Sequence, residues 1–315
     1  TSTDDYSNAL IDSSRGRAKV LYSHSTRAQL SSASDKDLVS FDSDGFTLGA
    51  NEQTGANYSG KNYVAWAWRA NGGTTSTNSS GSADSTVQAN TKAGFSICLT
   101  DNYTAATGVT IGHGLGVKPA FYIHKPSGDN SSGGASQAFN WHVYHHSLGA
   151  TKALLLNSSN AAATAIGYWN NTEPTTDVLS LGNLIAGNGQ SLVYAWAEVE
   201  GYSKFGTYEG NGNTDGTFVY TGFRPRMLFL KQVDSAAEWA VYDTERDTHN
   251  MAERCLEWDL SAAEKTSSNL STDGLDFLSN GFKFRGGGGG RTNQTNKTYI
   301  YGAWGDVSFK YNNTF

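Results

Sequence analysis

Gly116-Val-Lys-Pro119-Ala-Phe-Tyr-Ile-His-Lys125 and Gly222-Phe-Arg-Pro225-Arg-Met-Leu-Phe-Leu-Lys231 are two versions of one block: a glycine turn, a proline, an apolar strand and a closing lysine. Self-similarity of this kind organises a chain before any secondary structure is assigned. Downstream, Trp141-His-Val-Tyr144-His-His-Ser-Leu-Gly149 matches Trp239-Ala-Val-Tyr242-Asp-Thr-Glu-Arg-Asp247, and Leu10-Ile11-Asp12-Ser-Ser-Arg-Gly16 supplies a third, earlier version. In this alignment His145 stands where Asp12 and Asp243 stand, a polar turn position. Next comes a Gly-Phe turn, Asp44-Gly45-Phe46-Thr-Leu48-Gly in the first version and Asn280-Gly281-Phe282-Lys-Phe284 in the third. Asp-Gly and Asn-Gly between alternating apolar residues are strong hairpin signals. The second version keeps only Val178-Leu-Ser-Leu181-Gly182. Each version closes on a strand of small and aromatic residues: Tyr63-Val-Ala-Trp66-Ala-Trp68, Val193-Tyr194-Ala-Trp196-Ala and Tyr299-Ile-Tyr301-Gly-Ala-Trp304.

Composition agrees with β structure. The 315 residues are 37% hydrophobic and only 17% charged, with 36 Gly and much Ser, Thr and Asn, which suits short strands joined by many turns. Sixteen Tyr, 14 Phe and eight Trp are available to fill cores between sheets. The reading is all-β: tandem antiparallel β-sandwich repeats of jelly-roll or lectin-like type, with inner faces alternating with polar outer ones. Residues 1–70 form a partial first repeat without its opening strands, 71–92 a Gly/Ser/Thr/Asn-rich linker or loop, 93–203 the second repeat and 204–315 the third. The first repeat begins in mid-pattern, so a longer parent chain is expected to supply the missing strands. The Gly286–Gly290 run reads as a mobile hairpin tip, and Asn250–Glu264 as the one short helical candidate.

A net charge of −6 and the lack of any basic run argue against nucleic acid as a partner. No run approaches the ~18 apolar residues of a membrane span, so membrane insertion is not expected. Cys98 and Cys255 form no metal-binding pattern and read as buried small hydrophobes.

Taken together, Ile11-Asp-Ser-Ser-Arg-Gly16, Ser40-Phe-Asp-Ser-Asp-Gly-Phe-Thr-Leu-Gly49, Tyr63-Val-Ala-Trp-Ala-Trp68, Ile111-Gly-His-Gly-Leu-Gly-Val-Lys-Pro119, Ser147-Leu-Gly-Ala-Thr-Lys152, Tyr168-Trp-Asn-Asn171 and Phe218-Val-Tyr-Thr-Gly-Phe-Arg-Pro225 carry a resemblance over almost the whole chain. The pattern resembles a repeat family of virion and tail-fibre-like structural proteins of marine tailed phages, including those of cyanobacterial hosts. That resemblance implies a structural part of a phage particle, exposed at the virion surface and working by binding, not catalysis. The expected role is a tail-fibre or peripheral fibre segment displaying loops for host attachment. Expected partners are other virion proteins, further copies of itself (a homotrimer, by analogy with phage fibres) and a host-surface glycan. The resemblance supplies no catalytic residues to carry over, and neither enzymatic activity nor a cofactor is expected. The rival readings are a capsid-decorating or adaptor protein without a receptor, and a glycan-cleaving tailspike.

The cluster Trp141-His142-Val-Tyr144-His145-His146 splits its imidazoles between opposite faces of a strand, so it does not converge on a metal. Asn211-Gly-Asn213-Thr-Asp215-Gly216 mimics half of a calcium loop but places Gly222 at the twelfth position, and reads as a turn. Glu198, Glu200, Glu209, Asp243, Glu245 and Asp247 offer carboxylates without a hydrolase motif. Trp66, Trp196 and Tyr301 are expected at matched core positions. Tyr168, Trp169, Asn170 and Asn171 lie in a polar turn that pairs rings with amides, and form the candidate glycan site.

Overall fold

The computed structural model describes residues 7–101, 108–128, 138–185, 190–266 and 273–306. The start of the chain, residues 1–6, lies outside them. No α-helix occurs among the described residues, and the protein is all-β. The first block carries β1 (Ala9–Leu10), β2 (Lys19–Tyr22), β3 (Leu30–Ser31) and the hairpin β4 (Leu38–Phe41) to β5 (Phe46–Leu48). The second carries β6 (Ser76–Asn78), β7 (Ser85–Asn90), β8 (Phe95–Thr100), β9 (Val109–Gly112), β10 (Phe121–Pro126), β11 (His142–His145), β12 (Lys152–Leu155), β13 (Ala163–Thr164), β14 (Val178–Leu181) and β15 (Ser191–Trp196). The third carries β16 (Ser203–Glu209), β17 (Phe218–Tyr220), β18 (Met227–Gln232), β19 (Ala240–Asp243), β20 (Leu256–Glu257), β21 (Leu275–Leu278), β22 (Gly281–Phe284) and β23 (Thr298–Trp304).

All the strand ladders are antiparallel, and the main sheets of the second and third blocks share one order: β12-β11-β10-β15-β8 and β20-β19-β18-β23-β16. The Gly-x-x-Pro pattern sets up β10 and β18 in the same way. Gly116 (φ 71) and Gly222 (φ 88) occupy the left-handed region that disfavours a Cβ, and the proline that follows sits just ahead of the ladder, where its missing N–H costs nothing. Over each main sheet lies a smaller one, β9–β14 in the second block and β17-β22-β21 in the third.

This layering corrects the expected alternation of inner apolar and outer polar residues. β8, β10, β15 and β18 are buried at every position. Their outer faces, such as Tyr122 and Leu228, meet the smaller sheets, while their inner faces, such as Phe121, Ile123 and Phe229, enter a core common to all three blocks. Leu21 and Ala70 of the first block join that common core. The blocks are therefore joined sideways through apolar contacts, and are not consecutive units on a string.

Three local expectations are also corrected. Residues 71–92 are not a linker: β6 and β7 extend the second block's sheet, because β-branched Thr77, Thr86 and Val87 suit a strand and Gln88, fully buried, bonds with Ser13 and Ser14 of the first block. Asn250–Glu264 is not helical: it is irregular apart from β20 and two isolated bridges, and buries Ala252, Cys255 and Leu256 in a spacing set by that pairing. Gly286–Gly290 packs as a loop: the Gly286 N–H donates to Gly274 O, and a Cβ on Gly289 would collide with the Asp273 carboxylate.

Candidate functional site

The groups with most chemical potential are gathered where blocks meet. The turn after the Leu10, Val143 and Val241 strands is built alike in each block: the Asp12, His145 or Asp243 side chain accepts the N–H of the residue two places on. Arg15 and Arg246 close two of these turns, with Nε donating to Asp12 Oδ2 at 2.5 Å and to Asp243 Oδ2 at 2.7 Å. Each turn then contacts the aromatic closing segment of another block. Tyr194 Oη donates to Asp12 Oδ2 at 2.6 Å, His145 Nε2 lies 3.2 Å from Tyr301 O, and Trp66 Nε1 donates to Asp243 Oδ2 at 3.3 Å beneath the Arg246 guanidinium. First meets second, second meets third and third meets first, so the set is closed.

A second set runs the opposite way round. Trp141 Nε1 donates to Tyr22 O (2.8 Å), Trp239 Nε1 to Leu155 O (2.9 Å) and Asn8 Nδ2 to Glu257 O (2.9 Å). The acceptors are equivalent by register, since Tyr22, Leu155 and Glu257 pair with Ala9, His142 and Ala240. Lys125 and Lys231 follow the same direction: Lys125 Nζ donates to Thr26 O and Phe139 O, and Lys231 Nζ to Ser159 O, Gln232 O and Ala237 O. Burial pulls the Lys125 ammonium down to about 7 and Lys231 down to about 8, because burial disfavours the charge and, among the described residues, both amines hydrogen-bond only to carbonyl oxygens.

The first block's Tyr63–Trp68 segment, expected as a strand, is irregular, but it meets β15 and β23: Trp68, Trp196 and Trp304 form a triangle with ring centroids 5.7, 5.3 and 6.1 Å apart and interplanar angles of 67–75°. These are edge-to-face contacts, favoured by the ring quadrupoles. The strand register overturns the match of Trp66, Trp196 and Tyr301: Trp196 opposes Phe121 as Trp304 opposes Met227, so Trp68, Trp196 and Trp304 are the equivalent set. The Tyr-x-x-Trp spacing of the first block hid this, because two tryptophans there compete for one place.

The candidate glycan residues are divided by the fold. Trp169 is fully buried, its Nε1 donating to Lys152 O at 2.9 Å and its ring edge-on to Tyr122 and Tyr144, so it cannot stack on a sugar. Tyr168 is half-buried against His142. Asn170 and Asn171 are exposed, both at positive φ, beside Ile166 and Asn183 in a shallow hollow. The histidines do not converge: His142 lies against His124, whereas His145 packs with Phe121, Phe205 and His146. Burial pushes His142 down to about 4 and His145 to about 3, keeping both neutral. With Nδ1 accepting from Ser147, His145 carries its proton on Nε2 and donates it to Tyr301 O.

Four of the six sequence-candidate carboxylates serve other groups. Asp243 belongs to the Arg246 turn, Glu245 pairs with Arg226, Asp247 accepts from the Glu253 and Arg254 N–H groups, and Glu198 from Phe205. Asn211 and Asn213 bond with Asn293. Sequence reading missed Glu257 and Asp273, which pair with Arg291, and Asp259, which accepts the Trp239 N–H; burial pushes Asp259 up to about 6. No local motif signals them, because Glu257 of β20 and Asp273 meet Arg291 only once the chain has folded.

A family model described as Domain of unknown function (DUF7483) matches residues 1–307. The chain belongs to that family. The match takes in all three blocks at once. No curated protein and no solved structure matches the chain.

Proposed function

We propose that this chain is a non-enzymatic structural part of a tailed-phage particle, a tail-fibre or peripheral fibre segment that displays loops at the virion surface for host attachment. The resemblance of its repeats to phage structural proteins supplies the context. The observation that carries the reading is the closure of the three blocks on one another. Arg15, Arg246, Lys125, Lys231 and His145, groups that an active site would leave available to substrate, are engaged in joints between or within blocks. Such a body is rigid, and rigidity favours a display role, since weak loop contacts add up only when their geometry is held.

In this reading the host-facing chemistry lies at peripheral loops, with Asn170, Asn171 and Tyr168 the place for a surface glycan. Self-association into a homotrimer belongs to the same proposal. The Trp68, Trp196 and Trp304 triangle favours a second geometry, in which one chain sits alone on a threefold axis as a decorating or adaptor protein. Cryo-electron microscopy of the intact particle distinguishes them. Projecting density with three chains per fibre supports the attachment segment, and a single chain fixed on a shell axis supports decoration. Density found in neither place, together with glycan hydrolysis by the purified chain, overturns both.

A further inference from the structure

The corner at the start of β10 is filled differently from its counterpart at β18. The Ala120 N–H donates to Trp196 O and the Arg226 N–H to Trp304 O, while Ala120 O accepts from His146 and Arg226 O from Thr244. Ala120 and Arg226 are therefore equivalent. Glu198 and Asp306, each two places after the closing tryptophan, are equivalent too, and so are Ser147 and Glu245. In the third block the Arg226 guanidinium takes the corner, with Nη2 2.8 Å from Glu245 Oε1 and Nε 3.5 Å from Asp306 Oδ2. In the second block the side chain at this place stops at a methyl group.

The result is a hollow of about 190 Å³ lined by Val117, Lys118, Pro119, Ala120, His146 and Glu198. The carboxylate that would meet a guanidinium is retained. Both close contacts of Glu198 use Oε1, which accepts the Phe205 N–H at 3.0 Å and lies 3.6 Å from Lys204 Nζ, leaving Oε2 free to accept. Lys118 is held by Glu173 at 2.9 Å. At the rim Val117 is 48% exposed, whereas its counterpart Phe223 is buried to 2%, so an aliphatic stem laid across Val117 would cover apolar surface. Every arginine of the 315-residue sequence lies among the described residues, and none lines the hollow.

We propose that this hollow is a guanidinium-binding site, taking an arginine side chain in the pose that Arg226 adopts within the third block. A planar guanidinium presents a fork of donors to a carboxylate, which a lysine ammonium does not. The arginine belongs either to a second copy of this chain or to polypeptide beyond these 315 residues, and the chemistry of the site is the same for both. The inference is independent of the phage reading, since it compares two blocks of one chain.

Ethylguanidinium is the probe, followed by NMR of the 315-residue chain at neutral pH with the Val117 and Ala120 methyl groups as reporters. With one carboxylate where the third block has two, the shifts should saturate with a midpoint of about 1–10 mM. Ethylammonium should bind about tenfold more weakly for want of the fork. Glu198→Gln keeps an acceptor for the Phe205 N–H but loses the charge, and should weaken ethylguanidinium about tenfold. Ala120→Arg supplies the guanidinium from within; it should unfold at the parent's urea midpoint and abolish the shift at Val117. Sedimentation velocity then separates the two sources. An oligomer that Ala120→Arg dissociates assigns the arginine to a second copy, and an association state that Ala120→Arg leaves unchanged assigns it to polypeptide beyond these residues; with the probe bound, either result upholds the site. No saturable shift below about 100 mM, equal binding of ethylammonium, or binding unchanged by Glu198→Gln or by Ala120→Arg would each overturn the proposal.

Discussion

Replacing Trp304 by alanine removes one corner of the central triangle, and its cost can be worked from the contacts. The indole is 4% exposed and lies within 5.3 Å of Trp68, 5.4 Å of Phe205, 5.9 Å of Phe229 and 6.1 Å of Trp196, centroid to centroid. Its Nε1 has no hydrogen-bond partner, so the loss is one of packing alone. A buried Trp→Ala change costs about 3–5 kcal/mol, and the edge-to-face partners place Trp304 near the upper end. Against a typical domain stability of about 5–15 kcal/mol this is a large fraction. Urea unfolding followed by far-UV circular dichroism, which does not depend on the deleted fluorophore, measures the shift in midpoint at constant slope. Because the triangle joins all three blocks, hydrogen exchange at β2, β10 and β18 should report the same loss. The double variant with Trp196→Ala should fall short of additivity by about 1 kcal/mol. A cost below about 1 kcal/mol, or a loss confined to β16–β23, would refute the reasoning.

Tyr194→Phe removes the hydroxyl that joins Asp12 and Arg15 to the second block; a cost of about 1–3 kcal/mol is expected in the same urea assay, for a buried bond to a charged group. His145 is held neutral with a folded value of about 3, below its ordinary 6.5, so the unfolded chain binds more protons as pH falls from about 6.5 towards 4 and the stability present above 6.5 is lost. His145→Asn, which keeps the acceptor for Ser147, should be relatively more stable than the parent at pH 5 than at pH 7.5, by about 2 kcal/mol in paired urea midpoints. For Lys231, folded near 8 against 10.5 unfolded, the unfolded chain again binds more protons between those values, so its contribution to stability rises with pH. Lys231→Met should lose that rise and cost about 1–3 kcal/mol at pH 7 by leaving carbonyl oxygens unpaired, both read from melting curves across pH 7–10.

Strand content was legible because the apolar runs are short, bounded by Gly and Pro, and rich in β-branched and aromatic residues, as in Phe121–Ile123 and Met227–Leu230. The correspondence of His145 with Asp12 and Asp243 was legible too, since the turn imposes a polar acceptor whatever its kind. What escaped was the direction of packing. Nothing in the alternation of β10 reveals that both its faces are covered, because that depends on β9–β14 arriving from elsewhere in the chain. Residues 71–92 were misread since a polar strand such as Ser85–Asn90 gains its stability from backbone pairing and one buried glutamine, which composition does not register. Trp169 looked available because its neighbours are polar, while its own ring turns inward onto Tyr122 and Tyr144. The joints between blocks were invisible for a simpler reason: Asn8 and Glu257, or Trp66 and Asp243, meet only after the chain has closed.

The central claim is that three blocks form one closed body and not a string of independent domains. Differential scanning calorimetry of the 315-residue chain tests it most directly. The account predicts a single transition with calorimetric and van't Hoff enthalpies in agreement, since no block can open without exposing the common core. Two or three separable transitions, each abolished by a mutation in one block while the others persist, would contradict it.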